Sequence, residues 1–191
     1  LGASEFDVFC RDAFGFLDEA SVRYLIVGGL AVLAVGEPRT TADADVIAFL
    51  SSAEAEALLG KAKRAGFSLD EKLELERLRR TGTLRFRRAP FQLDLILASL
   101  PFEERAYARA VPRKLFGKLL RFPSPEDLIV FKVLAGRDKD LLDAAGVVRR
   151  HGKNLDVQYV EGVIRPLCDL AEDTRPWSRL QEVLRKGGAR E

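Results

Sequence analysis

Residues 24–49 read Tyr-Leu-Ile-Val-Gly-Gly-Leu-Ala-Val-Leu-Ala-Val-Gly-Glu-Pro-Arg-Thr-Thr-Ala-Asp-Ala-Asp-Val-Ile-Ala-Phe. The run from Arg23 to Val27 is a short apolar strand. Gly28 to Val35 continue as an apolar helix that stops at Gly36, with Pro38 just beyond. Asp43 then opens a second strand that runs to Leu50. In a strand, residues two apart point to the same face, so Asp43, Asp45, Ile47 and Phe49 lie together, opposite Ala44, Val46, Ala48 and Leu50. Both faces are apolar beyond the aspartates, which marks an inner strand. Two neighbouring carboxylates with no basic residue between them repel each other. A hard divalent cation such as Mg²⁺, which takes one or two carboxylates together with substrate phosphates, relieves that repulsion. Gly28-Gly29, at the junction of strand and helix, presents backbone N–H groups to an anion.

The surrounding chain supplies further elements. Phe6, Phe9, Cys10, Phe14 and Leu17 recur at helical spacing behind Ser4, a good N-cap. Ser51-Ser52 cap a helix from Ala53 to Ala65. Glu71 to Arg80 carry dense alternating charge, which reads as an exposed helix or lid with a solvated face. Thr83–Arg88 and Phe91–Ala98 flank Ala89-Pro90 as a hairpin. In its second arm Phe91, Leu93, Leu95 and Leu97 face one way, and Asp94 stands between Gln92 and Ile96 on the other. A lone carboxylate in so apolar a strand needs a partner, because an unpaired buried charge costs several kcal/mol.

Pro101–Arg109 read as a short helix and Ala110–Phe122 as edge strands. Ser124-Pro125 starts a helix to about Ala135. Helices follow over Arg137–His151, Asp156–Leu170 and Pro176–Leu184, and the tail from Lys186 to Glu191 should fray. The order is strands with helices first, then helices alone. This gives a core over residues 1–122 and a C-terminal helical region over 123–191.

The 191 residues are 47% hydrophobic and 31% charged, an ordinary composition for a globular domain. Basic and acidic residues number 31 and 29, a net charge of +2, so bulk charge does not argue for nucleic-acid binding. Two cysteines, Cys10 and Cys168, are too few for a disulfide scaffold or a thiolate metal site and read as buried thiols. The single histidine, His151, reads as a dipole partner at a helix end. No apolar run is long enough to span a membrane, and residues 1–20 are too acidic and interrupted for a signal peptide, so the expected location is the cytoplasm.

If the two strands are neighbours, Asp43, Asp45 and Asp94 converge on one patch able to hold one or two Mg²⁺ ions. Asp94 is then a metal ligand or a general base on an attacking hydroxyl. Phosphoryl and nucleotidyl transfer need little beyond positioning and charge neutralisation. The stretch with Arg77, Arg79, Arg80, Arg85, Arg87 and Arg88 is either solvated or a grip for an RNA backbone or acidic acceptor.

Gly28-Gly29, Arg39-Thr40-Thr41-Ala42-Asp43-Ala44-Asp45 and the later Asp94 together resemble the nucleotidyltransferase superfamily of the DNA polymerase β type. Lys132-Val-Leu-Ala135-Gly-Arg137-Asp-Lys139-Asp140-Leu-Leu-Asp143 resembles the K-x-x-A-x-R-x-K-D-x-x-D segment of its AbiEii-type toxin and minimal nucleotidyltransferase branch. The resemblance covers roughly residues 22–150. It implies an α+β fold, with a mixed, mostly antiparallel sheet flanked by helices and a C-terminal helical region. It implies Mg²⁺ as cofactor, a nucleoside triphosphate as substrate, and an acceptor that is RNA, protein or a small molecule such as an aminoglycoside. It also implies a toxin–antitoxin setting with an antitoxin partner. A rival reading, from another class, is a catalytically silent module that only binds nucleotide or a partner. By the same resemblance Asp43, Asp45 and Asp94 are the metal-binding and catalytic carboxylates, and Gly28 and Gly29 face the phosphates. Lys132 neutralises those phosphates, and Arg39 and Thr41 neighbour the ligands or brace their loop. Asp140 and Asp143 orient Lys132 or Arg137, or contact the acceptor. The superfamily often has serine after the glycine; here Leu30 follows Gly29, and that hydroxyl is missing.

Overall fold

A computed structural model describes residues 4–189. Its elements run α1 (Glu5–Glu19), β1 (Tyr24–Val27), α2 (Gly28–Val35), β2 (Asp43–Ala48), α3 (Ser52–Arg64), α4 (Glu71–Thr81), β3 (Thr83–Arg88), β4 (Phe91–Leu97), α5 (Pro101–Ala108), β5 (Val111–Leu115), β6 (Lys118–Phe122), α6 (Pro125–Ala135), α7 (Asp138–His151), α8 (Val157–Ala171) and α9 (Arg175–Lys186), with a single 3₁₀ turn at Gly152–Asn154. They fall into two compact units. Of the described residues, the first holds 4–30 and 40–121, the second 31–39 and 122–189. Helix α2 begins in the first unit and ends in the second, and with it residues 31–39 join the C-terminal helices.

In the first unit four strands form a mixed sheet in the order β1-β2-β4-β3. β1 and β2 are antiparallel, as are β3 and β4, while β2 and β4 run parallel. β2 is thus an inner strand, as its two apolar faces require. One face of the sheet is closed: Ala44, Val46, Ala48, Leu84, Phe86, Leu93 and Leu95 are all buried. Helix α1 packs on β4 and brings Phe6 and Phe9 against Phe91, with ring centroids 5.3 and 5.4 Å apart. Ser4 caps α1 in a reciprocal capping box with Asp7, and Ser51 does the same for α3 with Glu54. Cys10 lies in this core, where burial, assisted by Asp7, pushes its thiol up to about 12; Cys168 is also free and buried.

Two sequence expectations change here. β5 and β6 do not extend the main sheet but pair with each other as a separate two-stranded hairpin. Nor is α4 merely solvated. Its Glu74 is only 3% exposed, because its Oε2 accepts the backbone N–H of Arg85 at 2.7 Å and lies 3.2 Å from Arg77 Nε. An alternating charge pattern shows that a helix face is polar but not which of its charges meets a neighbour.

In the second unit α6 packs on α7 and α8, and α9 packs on α7 and α8. Ser124 caps α6, with Pro125 in its first turn and Gly136 closing it in the left-handed region at φ +67°. His151, in the last turn of α7, bonds the Val35 carbonyl through Nε2 at 2.8 Å, so it closes the end of α2 rather than serving only its own helix. The chain turns tightly after α9: a Cβ on Gly187 would lie 2.4 Å from Val148. Of the tail expected to fray, Arg190 and Glu191 lie outside the described residues. No helix among the described residues is long and apolar enough to cross a membrane.

Candidate active site

The register of the first unit's sheet decides which side chains can meet. Asp45 is paired with Asp94 across the parallel β2–β4 ladder, Asp94 with Arg85 across β4–β3, and Val27 with Asp45 across β1–β2. One rung therefore runs Val27–Asp45–Asp94–Arg85. The next runs Asp43–Gln92–Arg87. Residues two apart share a face, so all the polar members of both rungs lie on the face opposite the closed one. On that face Asp43, Asp45, Gln92, Asp94 and Arg85 are half-buried and Arg87 is exposed. The structure thus brings Asp43, Asp45 and Asp94 onto one patch of adjacent strands.

Asp45 and Asp94 are opposed in register, and each is drawn to a different partner. Asp94 takes Arg85 in a two-pronged pair, with Nε donating to Oδ1 at 2.7 Å and Nη2 to Oδ2 at 2.8 Å. Gln92 Nε2 adds a longer contact to Oδ2 at 3.4 Å. The bond to Asp94 is the chief reason the Arg85 guanidinium is held above its ordinary range; the charges of Asp43 and Glu74 act in the same direction. This pair answers the question posed by a carboxylate in an apolar strand.

Asp45 leans the other way. A Cβ built on Gly28 would lie 1.9 Å from Asp45 Oδ2, so the carboxylate occupies the space that any other residue would fill. Gly28 also adopts φ +63°, the left-handed region that glycine enters without a side-chain penalty. The carboxylate sits against the start of α2, where the helix dipole favours negative charge. Gly29 serves a second close approach, since its absent Cβ would meet Thr41 Oγ1 at 2.5 Å. Thr41 in turn donates from that oxygen to the Asp43 carbonyl at 3.2 Å. The double glycine, expected to face phosphates, admits Asp45 and Thr41 against the helix start and so fixes where both aspartates begin. The Asp43 carboxylate makes no hydrogen bond or ion pair among the described residues.

Among the described residues, no three His, Cys, Asp or Glu side chains are already gathered into a metal cage. The donor set nonetheless fits a hard cation: three carboxylates, no nitrogen or sulfur, on neighbouring strands of one face.

The second unit holds the rest of the sequence pattern, and there Asp140 and Asp143 do hold Lys132 and Arg137. Lys132, assigned to the phosphates by the resemblance, is 4% exposed. Its Nζ donates to Asp140 Oδ1 at 3.0 Å and to Asp143 Oδ2 at 2.8 Å. Asp140 is also bonded by Arg137, and Asp143 by Arg39 through Nε at 2.8 Å and Nη2 at 3.1 Å. Burial pushes both carboxyls up, but the bonds from Arg137 and Lys132 to Asp140, and from Arg39 and Lys132 to Asp143, outweigh it and hold them below their ordinary range. Three cations and two carboxylates thus close on one another. The pairing has a physical reason. The amphipathic face of α7 turns Asp140 and Asp143 inward, and the buried Lys132 ammonium compensates both.

No family model and no curated protein sequence matches the chain. Solved structures do. ANT(2")-Ia in complex with adenylyl-2"-tobramycin is 17% identical over 85% of this chain and 98% of that one, with a TM-score of 0.59. An antigenic nucleotidyltransferase-like protein from Paracoccidioides brasiliensis is 17% identical over 95% and 94%, with a TM-score of 0.52. The lincosamide antibiotic adenylyltransferase LnuA, bound to lincomycin, is 12% identical over 77% and 98%, with a TM-score of 0.50. The chain is an α+β protein, with helices around a mixed sheet and a C-terminal helical region, and it has the fold of the nucleotidyltransferases.

Proposed function

We propose that this protein is a Mg²⁺-dependent nucleotidyltransferase that moves a nucleoside monophosphate from a nucleoside triphosphate to a hydroxyl acceptor and releases pyrophosphate. The observation that carries the reading is the rung that sets Asp45 beside Asp94, with Asp43 on the same face, in a fold shared with adenylyltransferases. Asp43, Asp45 and Asp94 would hold the metal, which when bound supplies charge neutralisation for the triphosphate and the leaving pyrophosphate. The remaining work falls to this chain's side chains and backbone. The start of α2 orients the phosphates. Asp94, held in place by Arg85, receives the proton of the acceptor hydroxyl as the new oxygen–phosphorus bond forms and the α–β phosphoanhydride bond breaks. Gly28 and Gly29 set the positions of Asp45 and Thr41. We assign Lys132, with Asp140, Asp143 and Arg39, to bracing the second unit and the approach to β2 rather than to the phosphates.

An RNA or protein acceptor in a toxin–antitoxin setting follows from the AbiEii-type resemblance of residues 132–143. A small-molecule acceptor is the second reading; the supporting observation is that one structural neighbour is an antibiotic adenylyltransferase by name and another is in complex with adenylyl-2"-tobramycin. The test is incubation with each of four α-labelled nucleoside triphosphates, Mg²⁺ and separate pools of total RNA, cell protein and aminoglycosides. Label should pass to one pool and stop when EDTA is added. Transfer that persists in Asp43→Ala/Asp45→Ala refutes the assignment of those carboxylates. Specific nucleotide binding with no transfer to any pool favours the catalytically silent module.

A further inference from the structure

The six arginines between residues 77 and 88 look alike in sequence, yet the structure sorts them. Arg77 lies against buried Glu74, and Arg85 is locked onto Asp94. Arg88 turns to the closed side of the sheet, where it donates to Asp12 Oδ2 at 3.0 Å and the Ala65 carbonyl at 2.7 Å and lies 4.8 Å from the Phe67 ring. Arg79 and Arg80 are exposed on α4. Of the three arginines on β3, Arg87 is the exposed cation on the carboxylate face. Its backbone is fixed on both sides, by β4 and by a bridge to Ser68 with bonds of 2.7 and 3.1 Å. Its side chain has no hydrogen bond or ion pair among the described residues.

The order of the rungs gives this cation a direction. Along β1-β2-β4-β3 the face begins at the start of α2, passes Asp43 and Asp45, then Gln92 and Asp94, and ends at Arg85 and Arg87. Two strand spacings, roughly 10 Å, separate Arg87 from Asp43. With the nucleotide's phosphates at the start of α2, the acceptor approaches from the Asp94 end. We infer that Arg87 is a specificity-determining residue that binds a phosphate of the acceptor, so that this site takes a phosphate-bearing acceptor and disfavours a polycationic one. The inference rests on the nucleotidyltransferase reading and deepens it. Arg85 neutralises Asp94 and leaves Arg87 as a surplus charge at this edge. A guanidinium pairs readily with phosphate oxygens, whereas like charge repels an aminoglycoside.

The test uses the full chain and two probes, Mg²⁺-nucleotide and a fluorescein-labelled 12-nucleotide single-stranded RNA, with affinities read by titration calorimetry and by anisotropy. Arg87→Ala should weaken RNA binding about 5-fold at low salt and flatten its dependence on log salt by about 0.7, with nucleotide affinity unchanged. Arg87→Glu should weaken it further. Arg88→Ala, which removes the same charge from the opposite face, should leave both affinities alone. Unchanged RNA affinity in Arg87→Ala overturns the inference, as does an equal loss in Arg88→Ala or a wild-type protein that does not bind the RNA. Failure of the wild-type protein to bind any nucleotide is a separate result, which defeats the reading of the site itself.

Discussion

The two units each hold a cluster of aspartates and basic residues, drawn from the same residue types and of similar size, yet the clusters behave oppositely. In the second unit, Lys132, Asp140, Asp143, Arg39 and Arg137 close on one another, and the two carboxylates are 0% and 8% exposed. On the sheet face of the first, Arg85 satisfies Asp94, but Asp43 and Arg87 have no ion-pair partners among the described residues. A closed set of charges makes structure, because each member is desolvated and compensated at once. An open set keeps its charge for something that arrives later. A lysine motif and an aspartate motif, equally prominent in the sequence, thus meet different surroundings: the fold supplies partners for the first and leaves Asp43 of the second without one among the described residues.

The largest effect should come from opening the contrast at the sheet. Asp43→Asn/Asp45→Asn should lower nucleotidyl transfer at least about 10³-fold, as losing charge-stabilising groups at a transition state does. Its thermal midpoint should stay within a few degrees of wild type, since relieved carboxylate repulsion offsets what Asp45 loses at the start of α2. A large fall in midpoint would place these residues with the closed cluster instead.

The mirror experiment is Asp143→Ala, which removes the carboxylate shared by Lys132 and Arg39 and leaves Asp140 to balance the buried lysine. Removing one partner of a buried ion pair costs about 3–5 kcal/mol, read as a shift in urea midpoint at unchanged slope. Nucleotide affinity per folded molecule should change little. If stability holds while nucleotide affinity collapses, Lys132 belongs to the phosphates after all.

Gly28→Ala joins the two halves of the comparison at smaller scale. The left-handed φ costs about 1–2 kcal/mol for a residue with a Cβ, and the new methyl must displace the Asp45 carboxylate. Stability should fall by about that strain and transfer by more than stability explains, because the carboxylate proposed to hold the metal is itself moved. Gly82→Ala is the control: it has a similar φ of +64° with nothing within 4 Å of the new atom, so it should show the strain and no loss of transfer.

Much of this was legible from residue order. The strand, double glycine, helix and acidic strand of residues 24–48 follow from apolar runs and their punctuation, and the face shared by Asp43 and Asp45 follows from the two-residue period. The partner of Asp94 was within reach as well, since counting outward from Ala89-Pro90 sets residue 85 opposite residue 94. Two things were not legible. Strand signals at 111–122 do not say which sheet they join. The surroundings of Lys132 depend on how α6 lies on α7, an eight- and eleven-residue separation that no local periodicity specifies. Close approaches such as Asp45 to Gly28 are also silent in a sequence, which shows a glycine but not what fills its space.

The smallest effect is acid stability, which should also divide the two units. Asp140 and Asp143 have folded-state pKa values below their unfolded ones, so their stabilisation is complete above the unfolded carboxyl range near pH 4 and is lost as pH falls through the lower folded values. Glu103 in the first unit has the opposite sign. Burial raises its pKa against the lowering effect of bonds from the Leu100 and Ser99 N–H groups, so acid relieves its cost rather than adding one. Acidification from pH 6 to pH 3 should therefore loosen the second unit first. Trp177, the single tryptophan, lies in α9 of that unit beside Arg165 at 4.3 Å and reports on it directly. Its fluorescence should change before amide exchange quickens in β2 and β4. Simultaneous loss of both signals would mean that the two clusters stand or fall together, and that the closed one is not a separate store of stability.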